Sequence, residues 1–300
     1  MASTLIVGSV AFDTLHIAGT CHSKVLGGAA TYASLAAAHF APVQLVGVVG
    51  RDFPDSATQM LRARGIDLAG LEVADGETFH WEGRYSEDLS SRETLRTDLN
   101  VFADFKPKIP KAFQKAEFVM IGNIDPTLQM DVLDQMSKPS FVLADTMNLW
   151  IDIRHAELIK LCSRIDMLVL NDEEARQLTD QKNLVRAARA LRELGPKYVI
   201  IKKGEHGALL FHGNDVFALP ALPLENVVDP TGAGDTFAGA LIGCLARAND
   251  VSGPSMRRAI VYGSVLASFC VEGISLQRLH EASPADVNAR FEQFRKLTNF

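Results

Sequence analysis

The chain has 300 residues, 47% of them hydrophobic and 22% charged, enough apolar material for a sizeable core and too much for a disordered chain. Its net charge of −6, with no run of Lys and Arg, lacks the electrostatic footprint of a nucleic-acid binder, so no nucleic-acid partner is expected. The four cysteines, Cys21, Cys162, Cys244 and Cys270, are far apart without metal-ligand spacing, no basic leader opens the chain, and no apolar stretch is long enough to span a membrane; reduced thiols, a cytoplasmic location and no membrane partner are expected.

The first predicted element is a strand over residues 5–10, a continuous apolar run of the kind found where helices cover both faces of a sheet. It runs into Gly8-Ser9-Val10-Ala11-Phe12-Asp13, placing the Asp13 carboxylate at a strand's C-terminal end, where open α/β sheets bind ligands. An aspartate after a strand reads as a turn residue as well. Gly27 and Gly28 then precede an alanine-rich helix that contains Tyr32, and paired glycines let backbone approach a ligand closely. A second buried strand over 43–49 is followed by a helix over 56–64, which Gly65 terminates.

Residues 78–85 break this rhythm. They alternate, with Phe79, Trp81, Gly83 and Tyr85 on one side and His80, Glu82 and Arg84 on the other, which predicts an exposed antiparallel strand. Its aromatic face is open to a ligand or to ordinary edge packing. Buried strands resume over 118–121, 141–143 and 167–170. Directly after the last of these, Asn171 and Glu174 have the spacing of a capping box at the head of a helix, which needs no catalysis. A helix over 184–194 ends at Gly195-Pro196, and a strand over 199–201 runs into Lys202-Lys203-Gly204-Glu205-His206-Gly207. Those lysines would hold phosphate as point charges or merely solvate a strand end. The alternation of buried strands with helices predicts an α/β fold with a largely parallel sheet and helices on both faces.

The strongest chemical signal is Asp229-Pro230-Thr231-Gly232-Ala233-Gly234-Asp235-Thr236-Phe237-Ala238-Gly239-Ala240, which opens a helix over 235–248; another helix over 256–271 contains Gly263. Glycine turns let successive N–H groups converge on one point, and the free amides and positive dipole end of the helix add to the attraction for an anion. A carboxylate at such a mouth would repel phosphate unless it has another task, such as accepting a proton from an attacking hydroxyl. A helix cap with small packing residues is the plainer reading of the same spacing. The phosphate-binding P-loop, the dinucleotide-binding G-x-G-x-x-G, H-E-x-x-H and G-x-S-x-G are all absent, which removes those sources of chemistry.

Residue for residue, 229–240 resembles the C-terminal signature of the ribokinase, or PfkB, family of sugar and nucleoside kinases, and 27–32 resembles the family's N-terminal Gly-Gly signature. The resemblance implies a ribokinase-like three-layer α/β/α fold with a mostly parallel central sheet, as one kinase domain over 1–300. A small antiparallel β lid is expected from about 11–25 and 74–102. By position, Asp235 would be the catalytic base and the amides of Gly232, Ala233 and Gly234 the anion hole. Asp13, Gly27 and Gly28 would meet the substrate, Tyr32 stands where the family carries a substrate-binding asparagine, and Trp81 and Arg84 would reach down from the lid. Asn171 and Glu174 match an N-x-x-E motif that positions Mg²⁺ largely through water. Lys202, Gly204, Gly207 and Thr231 would lie along the nucleotide, Gly263 at the adenine, and Asp229 in a loop that binds a monovalent cation such as K⁺ in many relatives. The implied function is transfer of the γ-phosphoryl group of ATP to a hydroxymethyl group of a sugar, with a nucleoside kinase and a non-catalytic sugar-phosphate-binding protein as alternatives. A homodimer through the lid is the assembly that the resemblance implies.

Overall fold

The computed structural model describes residues 2–299. Its strands in chain order are β1 (Thr4–Val7), β2 (Ala11–Ile17), β3 (Thr20–Gly27), β4 (Val43–Val49), β5 (Ile66–Val73), β6 (Phe79–Tyr85), β7 (Arg92–Asp98), β8 (Phe118–Ile121), β9 (Phe141–Asp145), β10 (Met167–Asn171), β11 (Tyr198–Lys202), β12 (Ala208–His212) and β13 (Asp215–Leu219). The large sheet has the order β13-β12-β11-β10-β9-β8-β1-β4-β5. Every pairing from β5 to β11 is parallel, and the β12–β13 hairpin closes one edge in antiparallel sense.

Side-chain alternation splits the core into two layers. Ile6, Met120, Leu143, Val169 and Ile200 point to one face, under the helices Ala29–Ala37, Ala233–Ala248 and Gly253–Cys270. Leu5, Val119, Val142, Leu168 and Val199 point to the other, under the helices Pro126–Gln135, His155–Cys162 and Leu184–Glu193. Burial on both faces is why these strands read as unbroken apolar runs.

The predicted strand over 5–10 ends early. β1 stops at Val7, Gly8 to Val10 carry the chain across, and Asp13 lies inside β2, the first strand of a second sheet with the order β3-β2-β6-β7. In this lid the outer pairings are antiparallel and the central one, β2 with β6, is parallel.

What brings the two glycine signatures together is a seam of small residues. On the helix Ala233–Ala248, a Cβ placed on Gly239 would lie 2.2 Å from the Ala33 carbonyl oxygen, and one on Gly243 would lie 2.7 Å from that of Ala37. Both contacts advance by four residues in the same direction, so the helices run parallel and their N-termini, at Gly28 and Gly232, open at the same end. Gly239→Ala must push the helices apart against rigid backbone, and a loss of about 1–3 kcal/mol is expected. Urea unfolding with an unchanged m-value checks it.

Candidate active site

The C-terminal ends of the parallel strands and the inner face of the lid meet over the Gly232 turn. Gly232 has φ of 74° and caps the helix Ala233–Ala248 without a side-chain hydrogen bond. Such a φ is open to glycine and strained for any other residue here, because a Cβ would lie 2.4 Å from the Tyr32 ring. The Ala233 N–H donates to the Pro230 carbonyl at 3.3 Å, whereas the amides of Gly232 and Gly234 have no backbone partner among the described residues. Free donors at the mouth therefore come from Gly232 and Gly234, because the turn itself engages the Ala233 amide and the Asp235 amide donates to its own carboxylate.

Asp235 sits in the first helical turn, half-buried. Burial pushes its carboxyl up to about 7, the Asp145 charge adds to this, and Lys202 and Arg92 oppose it. Lys202 ends β11, with Nζ 3.4 Å from Asp145 Oδ2 and 2.8 Å from where a Gly234 Cβ would be. Its ammonium thus lies beside the anion-attracting turn. Burial acts to lower the Lys202 pKa and is outweighed by the charges of Asp145, Glu174 and Asp235, so the group stays charged.

Asn171 and Glu174 form the capping box: the Glu174 N–H donates to Asn171 Oδ1 at 2.7 Å, and the Asn171 N–H to Glu174 Oε2 at 2.8 Å. Burial raises the Glu174 carboxyl to about 7, with Lys202 working against it. Capping and proximity to Lys202 coexist in one side chain. Around one ammonium there are then three carboxylates, Asp145, Glu174 and Asp235. Among the described residues no group of three or more His, Cys, Asp or Glu side chains converges tightly enough to hold an ion directly. A divalent ion carried in by phosphate and water would fit that uncompensated charge.

On the lid side, Asp13 is buried and its carboxylate fills the space left by Gly27, where a Cβ would be 2.0 Å from Asp13 Oδ2. Burial, then the charges of Asp229 and Asp235, raise Asp13 to about 8. Gly28, at φ of 91°, passes under the Ser9 carbonyl with room for no side chain. Tyr85 crosses from lid to turn, its hydroxyl 2.8 Å from Thr231 Oγ1. Trp81 lies on the same face, folded over Gly83, with its indole N–H donating to Thr94 at 3.2 Å and the Arg92 guanidinium 5.7 Å from its ring centre. Asp229 is fully buried, accepting from the amides of Thr231 and Ser275, each at 2.9 Å. Gly204, at φ of 54°, opens the turn after β11 onto free space.

Three expected ligand residues are placed elsewhere. Arg84 alternates to the outer face of the lid, its guanidinium 3.6 Å from Glu93, so it points away from Asp13 and Tyr85. Tyr32 is 1% exposed and supports the Gly232 turn from beneath, which leaves no path for a substrate to its hydroxyl. Gly263 is closed off by Phe237, whose ring would lie 2.9 Å from its Cβ, and serves helix packing. Gly207, at φ of 85°, stays in the same turn as Gly204, its N–H donating to the Gly204 carbonyl at 3.1 Å, and the Leu219 carbonyl leaves no room there for a side chain.

Two residues are missed by sequence reasoning. Asp145 closes β9 in the way that Asp13 is expected to close β1, and the rule of carboxylates at strand ends finds it once the apolar run is carried two residues further. Arg92 lies on an exposed polar strand with no distinguishing neighbour, yet its charge acts on Asp13, Tyr85, Glu174 and Asp235 alike. Arg92→Ala is therefore expected to raise substrate KM about tenfold, the worth of one charge-assisted contact, while Arg84→Ala changes it less than about twofold. Steady-state kinetics of the two variants side by side check this.

Residues 4–282 match the family model of the pfkB family carbohydrate kinases. The chain is similar to a cytidine kinase of Thermococcus kodakarensis, 32% identical over 82% of this chain and 90% of that one. Among solved structures it is similar to an E. coli putative Ribokinase II in complex with ATP and Mg²⁺, at a TM-score of 0.79 and 19% identity over 98% of this chain and 100% of the other. It is similar as well to a nucleoside kinase of Burkholderia thailandensis in complex with ADP-inosine, at 0.79 and 19% over 97% and 95%. With its Gly-x-Gly-Asp turn, helix-covered parallel sheet and lid, the chain belongs to the PfkB family of carbohydrate kinases.

Proposed function

We propose that this kinase transfers the γ-phosphoryl group of ATP to the hydroxymethyl group of a nucleoside held between the lid and the Gly232 turn. The observation that carries it is Asp235: a half-buried carboxylate with its pKa raised to about 7, placed beside free amides and the Lys202 ammonium. In the reaction the carboxylate takes the hydroxyl proton as the oxygen bonds to the γ-phosphorus, and the bond to the bridging oxygen breaks to release ADP. Amides of Gly232 and Gly234, with Lys202, meet the charge spread over the moving phosphoryl. Asp13 holds sugar hydroxyls, and the Tyr85 bridge to Thr231 keeps the lid down so that water does not take the phosphoryl group. Mg²⁺ bound to the nucleotide would neutralise phosphate charge next to Asn171, Glu174 and Asp145. A monovalent cation beside Asp229 belongs to the same reading, since the contacts of that buried carboxylate are neutral amides, those of Thr231 and Ser275.

The similarity to a cytidine kinase over most of both chains favours a nucleoside. A free sugar is the second reading, supported by the similarity to an inositol 3-kinase of Arabidopsis thaliana, 24% identical over 90% of this chain and 74% of that one. The test is ADP release from ATP and Mg²⁺ with cytidine, uridine, adenosine, inosine, ribose, fructose and myo-inositol. Turnover of nucleosides with kcat/KM at least tenfold above the sugars is expected. Turnover confined to sugars moves the assignment to the second reading, and no ADP with any acceptor overturns both.

A further inference from the structure

What aims the Gly232 amide lies on the other side of its peptide. A planar trans peptide points its C=O and its N–H in opposite directions, so whatever holds the Thr231 carbonyl also sets where the Gly232 N–H points. That carbonyl has one partner among the described residues: the thiol of Cys270, the last residue of the helix Gly253–Cys270, donates to it at 3.5 Å. The rest of Thr231 is fixed as well, since its N–H donates to Asp229 Oδ1 at 2.9 Å and its hydroxyl lies 2.8 Å from that of Tyr85 in the lid. Three elements therefore hold three atoms of one residue.

The thiol suits this task. Cys270 is fully buried, and burial pushes its thiol up to about 12, so near neutral pH it keeps its proton and can donate. Its offset from the turn has no slack: the next residue, Val271, accepts from the amides of Val228 and Asp229 at 2.7 and 3.3 Å, and the Ser275 N–H reaches Asp229 Oδ2 at 2.9 Å. Gly232 has no side chain by which to be held, and the Tyr32 ring occupies the space where its Cβ would stand. A small apolar residue in place of Cys270 would fill the helix end equally well. It would leave the carbonyl of a buried residue without a donor, and the peptide free to tilt.

We propose that Cys270 is a positioning residue for phosphoryl transfer: its S–H, donating to the Thr231 carbonyl, turns the Gly232 amide toward the moving phosphoryl group. This role rests on the reading of that amide as an anion-hole donor, and the experiment separates the two. Alanine and serine are nearly equal in size and both smaller than cysteine, so they open similar space and differ in the donor. Cys270→Ala is expected to lower kcat about threefold to tenfold, the range of one hydrogen bond, with KM for ATP within about twofold. Cys270→Ser should recover most of that loss. Cys270→Val fills the space without a donor and should lose kcat as alanine does, so a defect of packing is told apart. The amide itself can be watched by NMR, because Thr231-Gly232 is the sole Thr-Gly pair in the chain, and carbonyl-labelled threonine with nitrogen-labelled glycine marks that one peptide. In wild type its resonance should move when MgADP and aluminium fluoride, a mimic of the moving phosphoryl, bind with the best acceptor of the ADP-release panel. Cys270→Ala should reduce the movement. An alanine or valine variant with kcat within about twofold of wild type, a serine variant no better than alanine, or a resonance that moves equally in wild type and Cys270→Ala overturns the role of Cys270 and leaves the anion hole standing. A wild-type resonance that stays in place overturns the anion hole, and a wild type that turns over no acceptor overturns the transfer reaction; either result removes this role with it.

Discussion

Asp235→Asn is expected to lower kcat by about 10²–10⁴, the worth of a positioned general base, while KM for ATP changes less than about threefold. The substitution is chosen because asparagine preserves what the plainer reading of this residue requires. As a helix-entry side chain asparagine is as good as aspartate, so a structural role predicts near-normal turnover. The proton-acceptor role predicts its loss. A second readout comes from pH. The Asp235 carboxyl is raised from 3.8 to about 7, first by burial and then by Asp145, so the active, deprotonated form accumulates as pH rises through 7. Wild-type kcat should climb along that limb and level off above it. The asparagine variant has no such group, and its residual activity should be flat there. Stability should move the opposite way. A carboxyl with a raised folded pKa contributes fully to stability below its unfolded value, and that contribution is lost as pH rises through the folded one. Relative to wild type, the Asp235→Asn protein should therefore gain stability as pH rises from 4 to 8. Undiminished turnover in this variant would end the assignment.

The parts of the fold that were legible are those with strong local periodicity. Buried strands β1, β4, β8, β10 and β11 appear as apolar runs because helices cover both their faces. The helices over 184–194 and 235–248 announce themselves by their caps and stops, Gly195 among them. β5 was missed because it lies at the sheet's margin with alternate residues exposed and Gly70 in its middle. The β12–β13 hairpin was missed although its signal is local: the apolar runs over 208–211 and 216–219 flank a tight turn in which Gly213 supplies the positive φ.

For the site, local signals located Asp235, Gly232, Lys202 and the capping box, all at ends of regular elements where glycine or charge interrupts an apolar run. Long-range geometry decides the rest. Whether Arg84 or Arg92 faces the substrate depends on which side of a four-stranded lid meets the domain, and both positions alternate with equal plausibility on paper. Tyr32 reads as a ligand because it follows the Gly-Gly gate, and it is a support because the helix Ala233–Ala248 packs directly over it. Its burial is a product of the glycine seam some 200 residues later in the chain, which no window around Tyr32 contains.

Lys202→Met is expected to damage both stability and catalysis, because the lysine is the cation among Asp145, Glu174 and Asp235. Methionine keeps most of the volume, so packing is a minor part of the change. Removing one partner of a mostly buried ion pair typically costs about 3–5 kcal/mol when the remaining charge has nowhere to go. Here the carboxylates have an escape, which is protonation. Glu174 and Asp235 already titrate at about 7 with Lys202 holding them down, and without it both rise further. The deficit should therefore be smaller at pH 6, where Glu174 and Asp235 bind protons, and larger at pH 8.5, where these two must stay charged. The same shift acts on the reaction: the rising limb of kcat should move up by at least about one pH unit, and loss of the ammonium beside the Gly234 turn should lower its plateau by about 10²–10³. Thermal unfolding at the two pH values together with a pH–rate profile checks both halves. A deficit that is the same at pH 6 and 8.5 would mean that Lys202 acts by packing alone, and an unmoved limb would mean that Asp235 does not feel its charge.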